Sequence, residues 1–358
     1  MSRPAAAQAA AAPWVRQAEG VLLIAAHPEL DRHDTGRGHP ERPGRMAAAV
    51  AALRAPEIEE ALEWLPVRTA SRSELVTVHD PAYLDGIAAM AASGGGALDP
   101  DTVLSSGSWD TALITAGAGL SAVEALQAGR GDAAFVVGRP PGHHAERDRG
   151  MGFCLVNNIA VAAAALRARG ERVAIVDWDV HHGNGTQDVF WTDPNVLFVS
   201  VHQSPLYPGT GGWDERGDGA GRGTTINLPL PPGAAGDAYL ALFDEVVVPA
   251  VERFAPTWVL VSAGYDAHRA DPLAQMELTS GDYADLTRRS AALAPQAGRV
   301  VLFLEGGYDL VALRDSVFAS ASALLGGNAR PEPGSSGGTG RERVPAYREL
   351  FIDEPLPG

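Results

Sequence analysis

Short apolar runs recur along this chain, and an Ala- and Leu-rich segment separates most of them from the next. Seven runs predict strands: VLLIAA from residue 21, AAFVV from 133, RVAIVD from 172, VLFVSV from 196, TTINL from 224, TWVLVSA from 257 and RVVLFLE from 299. Helices are predicted by the segments at 108–128, 157–169, 237–253 and 282–294. Strands that are apolar throughout are buried on both faces, as in a parallel sheet covered by helices. The pattern predicts an α/β fold with a central, mostly parallel sheet and helices on both of its faces.

The same pattern predicts one domain. No internal repeat is visible at a fixed period, and no Pro- or Ser-rich linker divides residues 20–325. We therefore predict a single domain over 20–325, preceded by a flexible tail over 1–19. A loosely ordered segment over 326–358 is expected to follow, because GGNARPEPGSSGGTGRER has the composition of a flexible linker.

Charge and composition exclude several classes of partner. The chain carries a formal net charge of −16, whereas direct nucleic-acid binding needs a basic surface. No apolar run approaches the roughly 18 residues that a membrane span needs, and AAAQAAAAPW lacks the leucine-rich core of a secretory signal. We therefore expect a cytoplasmic protein without membrane contact. The Ala- and Gly-rich composition is typical of a bacterial protein, and a homo-oligomer is compatible with the sequence.

The single cysteine limits the metal chemistry. Cys154 alone excludes an intrachain disulfide and a cysteine-rich zinc module. Any bound metal ion would therefore be held by histidine and carboxylate side chains.

Five polar clusters each follow a predicted strand. They are GRPPGHHAERDRGMGF, DWDVHHGNG, HQSPLYPGTGG, AGYDAHRADP and EGGYDL. Open α/β sheets bind their ligands beyond the carboxyl ends of the strands. The five loops are therefore expected to converge on one site.

Asp179 and His181 are the first candidate metal ligands. Residues i and i+2 of an extended or turning backbone project to the same side, so this pair can hold one cation. Asp266, from another strand end, is the candidate third ligand. Two carboxylates and one histidine suit a catalytic Zn²⁺, or Fe²⁺ or Co²⁺. Asp266 is equally explained as a helix-capping aspartate.

His143 and His144 are the candidate proton-transfer groups. Beside a metal-bound water, one histidine can accept a proton while the other adjusts the charge of the site. Asp177 and Asn184 are placed to orient the two rings. A purely structural histidine pair is the alternative.

Three aromatic residues complete the candidate site. The Tyr308 hydroxyl could donate to an oxyanion, although a core tyrosine is the simpler explanation. Phe153 and Tyr207 could line a slot for an aliphatic chain, or pack in the core.

The Ser200 and Val201 backbone could add oxygen atoms for a monovalent cation.

With these motifs in place, the chain resembles the histone deacetylase and acetylpolyamine amidohydrolase family, whose members have an arginase-like α/β fold. The resemblance covers residues 20–325. It is carried in order by GHPERPGR, RPPGHHA, MGFCLVNN, DWDVHHGNGT, VSVHQSPLYPGTG, SAGYDAH and EGGYDL. Four features resemble the class II and bacterial amidohydrolase branch: GHPERPGR, the PPGHH context, Asn184 and the EGGY loop.

The resemblance implies a role for each residue. Zinc would be bound by Asp179, His181 and Asp266. His144 would be the general base and then acid, His143 its electrostatic partner, and Tyr308 the oxyanion donor. Asp177 would orient His143, and Asn184, which replaces an Asp of other branches, would make His144 less basic. The resemblance also implies a structural potassium ion and a substrate channel. The potassium would lie near Asp177, Asp179, His181, Ser200 and Val201, and the channel would be formed by Gly152, Phe153 and Tyr207.

The substrate stays open between acetylated lysine side chains and acetylated polyamines. In the polyamine-preferring eukaryotic branch a glutamate lies shortly after the third zinc ligand, where this chain carries Leu273 in ADPLAQ. Leu273 favours acetyl-lysine or a broader acyl substrate. Asp99 or Asp101 could bind the substrate backbone or an amine. Two alternatives from other classes are a catalytically silent acyl-lysine binder and an arginase-like ureohydrolase, which needs a two-metal, aspartate-rich site.

Overall fold

The computed structural model describes residues 20–353, and within that range all seven predicted strands form. The ten strands of the described chain, numbered along it, are β1 Leu22–Ala25, β2 Leu62–Trp64, β3 Gly95–Ala97, β4 Val103–Ser105, β5 Ala133–Val136, β6 Val173–Asp177, β7 Val196–Gln203, β8 Thr225–Leu230, β9 Trp258–Ala263 and β10 Val300–Leu304. The seven predicted strands and β2 lie in one eight-stranded sheet with the order β2-β1-β5-β10-β9-β6-β7-β8.

Every neighbouring pair in the large sheet is parallel, whereas β3 and β4 form a separate antiparallel pair. Alternate residues of a strand point to opposite faces. In β6, Val173 and Ile175 enter one apolar cluster, while Ala174 and Val176 enter the other. Both faces of the sheet are therefore buried, which confirms the prediction made from the continuous apolar runs.

Helices cover both faces. The α-helices are α1 Gly44–Leu53, α2 Arg72–Leu75, α3 Pro81–Ala92, α4 Ser108–Gln127, α5 Asn158–Arg167, α6 Asn184–Phe190, α7 Gly236–Leu242, α8 Val248–Phe254, α9 Ser280–Ala292, α10 Leu310–Leu324 and α11 Val344–Arg348. A π-helical segment, Phe243–Val247, joins α7 to α8. The four helices predicted from sequence are present, and no helix within 20–353 is long and apolar enough to cross a bilayer.

The C-terminal segment is the clearest correction to the sequence interpretation. Residues 326–353 are packed against the domain, and the chain from Arg341 to Asp353 forms consecutive short helical elements. Tyr347 and Phe351 are four residues apart, and both are buried in the main apolar cluster. The prediction of a loosely ordered segment was therefore wrong for residues 326–353. The burial of Tyr347 and Phe351 holds this segment on the domain, although a Gly- and Ser-rich stretch precedes them. Residues 1–19 and 354–358 lie outside the described residues.

Strand register brings the polar loops to one edge. β6 ends at Asp177, which is aligned with Ser262 of β9 and Ser200 of β7. β9 and β10 end together at Ala263 and Leu304. The loops after β6, β9 and β10 therefore leave the sheet side by side.

Candidate active site

Three predicted metal ligands meet in the loops after β6 and β9. One ligand atom from each of Asp179, His181 and Asp266 lies within 4.8 Å of the others, and all three residues are buried. His181 Nδ1 is 3.1 Å from Asp179 Oδ1 and 3.2 Å from Asp266 Oδ2. The i, i+2 spacing therefore projects both side chains toward the same point, as predicted.

Backbone N–H groups orient the two carboxylates. Asp179 accepts from the N–H of His181 at 2.9 Å and of Gly306 at 2.8 Å, and Asp266 Oδ1 accepts from Val180 at 2.9 Å. Asp266 Oδ2 is buried, and although His181 Nδ1 lies 3.2 Å away, it makes no hydrogen bond of acceptable geometry within the described chain. An unpaired buried carboxylate oxygen is costly unless a cation binds it.

The electrostatics also favour a cation. Burial and the charge of Asp179 raise the pKa of Asp266. Burial raises the pKa of Asp177 to about 6, although the ring of His143 opposes the shift. Despite burial, the rings of His143 and His181 already hold the pKa of Asp179 well below its usual range. The raised pKa values of Asp266 and Asp177 therefore mark carboxylates that further positive charge would stabilise.

Gly306 keeps space free for the carboxylates. A Cβ atom at this position would collide with the carboxylates of both Asp266 and Asp179. The glycine of the EGGY motif is therefore required by close approach, in addition to the turn itself.

The adjacent histidines make different contacts. His143 Nδ1 lies 3.0 Å from Asp177 Oδ2, and His144 Nδ1 lies 2.7 Å from Asn184 Oδ1. The Asn184 amide donates to Glu146 at 2.7 Å, which turns its oxygen toward His144. His144 Nδ1 is thus the donor, and its Nε2 keeps a free lone pair.

Their pKa values move in opposite directions. Burial opposes the charged ring of His143, but the charges of Asp179 and Asp177 raise its pKa to about 10. Burial, followed by the charges of His143 and His181, lowers the pKa of His144 well below its usual value. The pair is therefore a charged ring beside a neutral one.

Tyr308 is buried at the end of the EGGY loop. Its backbone N–H donates to Asp271 Oδ2 at 2.7 Å, and the Arg45 guanidinium lies 4.9 Å from its ring centroid. Arg45 also donates to the Gly307 carbonyl at 2.7 Å. Burial raises the pKa of the phenol well above its usual value, so the hydroxyl stays protonated and can donate.

A cavity of about 210 Å³ opens onto these groups. Its lining residues are Asp101, His144, Gly152, Phe153, His181, Leu206, Tyr207, Leu273 and Tyr308. It brings together all four residues expected to contact substrate. The Phe153 ring lies 5.7 Å from that of Tyr308, and the Tyr207 ring lies 5.2 Å from that of His144, measured between centroids.

The structure separates the two acidic candidates of the rim. Asp101 lines the cavity, whereas Asp99 accepts from the backbone N–H groups of Asp101 and Thr102 at 3.1 and 2.6 Å. Asp99 therefore stabilises the loop that carries Asp101.

Ser200 and Val201 are buried beside the β6 loop. Ser200 is the register partner of Asp177, and its hydroxyl lies 2.9 Å from His202 Nδ1. Asp177 Oδ1 accepts from the N–H of Asp179 at 3.1 Å. Asp177 and Ser200, two residues of the expected potassium site, are therefore neighbours across the β6–β7 pair.

Sequence reasoning missed two supporting carboxylates. Glu305 accepts from the N–H groups of Gly142 at 2.6 Å and His143 at 3.2 Å, which positions the double-histidine loop. Asp271 contacts the N–H groups of Leu273 at 3.0 Å and of Tyr308. Both acids lie inside the quoted motifs, and their position at strand-end loops was the available signal.

Comparison with known proteins agrees with this geometry. A model described as a histone deacetylase domain matches residues 39–324. A probable deacetylase from Archaeoglobus fulgidus is 42% identical over 295 residues, which cover 81% of this chain and 82% of the relative. A histone deacetylase-like amidohydrolase from Pseudomonas aeruginosa is 41% identical, over 76% of this chain and 73% of that protein.

A solved structure supports the same similarity. The crystal structure of the HDA15 HD domain matches with a TM-score of 0.86 and 33% sequence identity, covering 94% of this chain and 95% of that one. The arginase/deacetylase fold expected from the motifs is therefore confirmed.

Proposed function

The chain belongs to the histone deacetylase family, and we propose from that premise that it is a zinc-dependent deacetylase that hydrolyses acetyl-lysine. The products would be the free lysine amine and acetate. The observation that carries the proposal is that His144, His181 and Tyr308 line one cavity, at the point where the ligand atoms of Asp179 and Asp266 converge with His181.

The residues present fit a divalent metal ion. Two carboxylates and one imidazole converge, one buried carboxylate oxygen lacks a hydrogen bond, and the donor set suits Zn²⁺, with Fe²⁺ or Co²⁺ as alternatives. Such an ion, when bound, polarises the amide carbonyl and lowers the pKa of water toward about 7.

The protein supplies the proton transfers. His144 is neutral, and Asn184 directs its Nε2 lone pair toward the cavity, so it accepts the proton of the attacking water and later returns it to the amine. His143, held by Asp177, keeps positive charge beside the reacting groups. The protonated Tyr308 hydroxyl donates to the amide oxygen as negative charge develops there.

The walls of the cavity favour a slender substrate. Phe153 and Tyr207 face the catalytic groups from the two sides and suit the aliphatic stem of lysine. Leu273 lies in the wall where the polyamine-preferring branch is expected to carry a glutamate. Asp101 at the same cavity is available to bind the N–H groups of a peptide.

An acetylpolyamine deacetylase is the second candidate. Asp101 is an acidic group that could equally attract a polyamine cation. A silent acyl-lysine binder is a weaker candidate, because such a binder would need neither the neutral His144 nor the protonated Tyr308. A structural potassium ion bound by Asp177, Asp179, His181, Ser200 and Val201 is part of the proposal.

The test compares kcat/KM of the zinc-loaded protein on an acetyl-lysine peptide, acetylputrescine and acetylspermidine, with Tyr308→Phe as background. A preference for the peptide of about a hundredfold, about 2.7 kcal/mol in transition-state free energy, supports a lysine deacetylase. The reverse preference would assign polyamine substrates and overturn the interpretation of Leu273. Turnover of none of the three at rates above background would favour the silent binder.

A further inference from the structure

A second cavity, of about 260 Å³, lies at the opposite edge of the sheet from the candidate active site. Arg172 precedes β6, Leu197 is near the start of β7, and Thr224 immediately precedes β8. The cavity thus lies at the amino ends of these strands, whereas the candidate metal ligands follow the carboxyl ends. Phe254 and Phe351 contribute apolar wall.

Four arginines line this cavity in a chain with a net charge of −16: Arg172, Arg216, Arg222 and Arg253. Within residues 20–353 none of the four forms an ion pair with a carboxylate. Two acidic residues of adjoining turns, Glu171 and Asp193, are paired with Arg299 and Arg167 instead. The positive charge in this cavity is therefore not balanced by the described chain.

The arginines that are hydrogen-bonded use backbone carbonyls. Arg172 donates twice to the Phe254 carbonyl, at 3.2 and 2.7 Å, and its guanidinium lies 4.2 Å from the Phe254 ring centroid. Arg253 donates to the carbonyls of Phe351 at 3.2 Å and Ile352 at 2.9 Å. These bonds fix the guanidinium planes without neutralising them, which preorganises the groups for an anion.

Arg216 and Arg222 are the least satisfied of the four. The Arg216 Nε atom is buried and has no hydrogen-bond partner within the described chain, and the guanidinium lies 4.9 Å from the Phe351 ring centroid. The Arg222 side chain makes no hydrogen bond or ion pair within the same residues. Burial and the charge of Arg222 lower the pKa of Arg216, so an anion between them would relieve their repulsion.

We propose that this cavity is a binding site for a small phosphate-bearing anion. Guanidinium groups present planar pairs of N–H donors that match phosphate oxygens, and several arginines around one recess are typical of such sites. The cavity has room for a diphosphate or a nucleoside monophosphate, and its aromatic wall suits the latter's base. The site is independent of the deacetylase chemistry.

The ligand would also join two parts of the chain. Arg253 and Arg216 already donate to carbonyls of the Leu350–Ile352 stretch, and Phe351 forms part of the wall. A bound anion would hold these arginines against the C-terminal segment. Binding should therefore slow amide hydrogen exchange in residues 344–353.

The experiment measures binding of inorganic pyrophosphate and of AMP to the full chain by calorimetry at constant ionic strength. Citrate serves as a carboxylate anion of similar charge to pyrophosphate. The variant is the pair Arg216→Gln and Arg222→Gln, and the matched control is Arg314→Gln, an exposed arginine on α10. We expect saturable binding of at least one phosphate compound to the wild type and the control. The affinity of the paired variant for that compound should be lower by at least about tenfold.

Two further readouts keep the result interpretable. The paired variant should retain deacetylase turnover and its circular dichroism spectrum, which shows that it folds. Phosphate binding by the wild type that the paired arginine substitution weakens at least about tenfold, together with slower exchange in 344–353, supports the proposal. No binding to the wild type, equal binding to the paired variant, or equal affinity for citrate would overturn it.

Discussion

Two buried clusters of charge lie within this domain, and they are built on opposite principles. Around Glu41, a single carboxylate is surrounded by Arg139, Arg45 and His33. Around Asp179, carboxylates outnumber the cations, and one oxygen of Asp266 has no hydrogen bond within the described residues. The first cluster is satisfied by the chain itself, whereas the second has the ligand atoms to hold a cation.

The geometry of the Glu41 cluster shows what a self-sufficient buried ion pair needs. Arg139 donates to both Glu41 oxygens at 2.8 Å, and its remaining donors contact the carbonyls of Leu30 at 3.0 Å and His33 at 2.6 Å. Although burial opposes ionisation, His33 and Arg139 hold the pKa of Glu41 far below its usual range. This cluster also holds Arg45, in the first turn of α1, beside Tyr308.

Replacing Asp179 by Asn should have the largest effect, because it removes charge from the cluster that we propose binds zinc. We expect loss of stoichiometric zinc and a fall in kcat/KM of at least about a thousandfold. Metal analysis and steady-state kinetics measure the two effects. Asp101→Asn, at the rim of the same cavity, is the control and should retain zinc. Full zinc occupancy in Asp179→Asn would contradict the assignment of the ligands.

Glu41→Gln tests the other cluster. Leaving Arg139 and Arg45 buried without their carboxylate should lower the free energy of unfolding by about 3–5 kcal/mol. Denaturant unfolding measures this loss, and Glu63→Gln, at a partly exposed ion pair with Arg130, should change stability by less than about 1 kcal/mol. Zinc content of the folded protein should be unchanged. A small loss for Glu41→Gln would mean that the network is not a stability element.

Tyr308→Phe removes one donor and leaves the charges in place. We expect kcat to fall by about a hundredfold to a thousandfold while zinc content stays normal, as for loss of one oxyanion donor. If kcat were nearly unchanged, the proposed role of the phenol would be wrong.

His79 extends the comparison to a buried group that stays neutral. Its Nδ1 donates to the Glu146 carbonyl and its Nε2 accepts from the Asn157 N–H, and burial lowers its pKa to about 4. The folded state therefore binds fewer protons than the unfolded state between about pH 6.5 and 4, so stability must fall as pH falls through that window. His79→Gln should remove up to about 3 kcal/mol of this decrease, measured by denaturant unfolding at each pH in both proteins. Parallel stability curves for the two proteins would rule out this contribution.

The same contrast explains how much of the molecule could be predicted from sequence. Strands such as β6 are apolar throughout and were found, because burial on both faces leaves a strong local signal. β2, with three partly buried residues at the sheet edge, leaves almost none. Tyr347 and Phe351 were hidden within a segment whose composition suggested flexibility.

The candidate site follows the same division. Asp179, His181, Asp266 and the histidine pair could be named because their residue types and spacing indicate chemistry. Glu41, Asp271 and Glu305 could not be assigned, although all three lie in quoted motifs. Glu41 contacts Arg139, 98 residues away in the chain, Asp271 contacts Tyr308, 37 residues away, and Glu305 contacts His143, 162 residues away. Only the folded structure brings these pairs together.

Asp271 has a consequence for how this enzyme could evolve. One of its oxygens accepts from the N–H of Leu273 in the cavity wall, and the other accepts from the N–H of Tyr308. Because Asp271 holds both backbones, we expect a substitution at 273 that moves the cavity wall to shift Tyr308 as well, so that substrate selectivity and turnover change together. Laboratory evolution toward bulkier substrates should therefore begin at Leu206, which lines the cavity from a different loop, the one after β7.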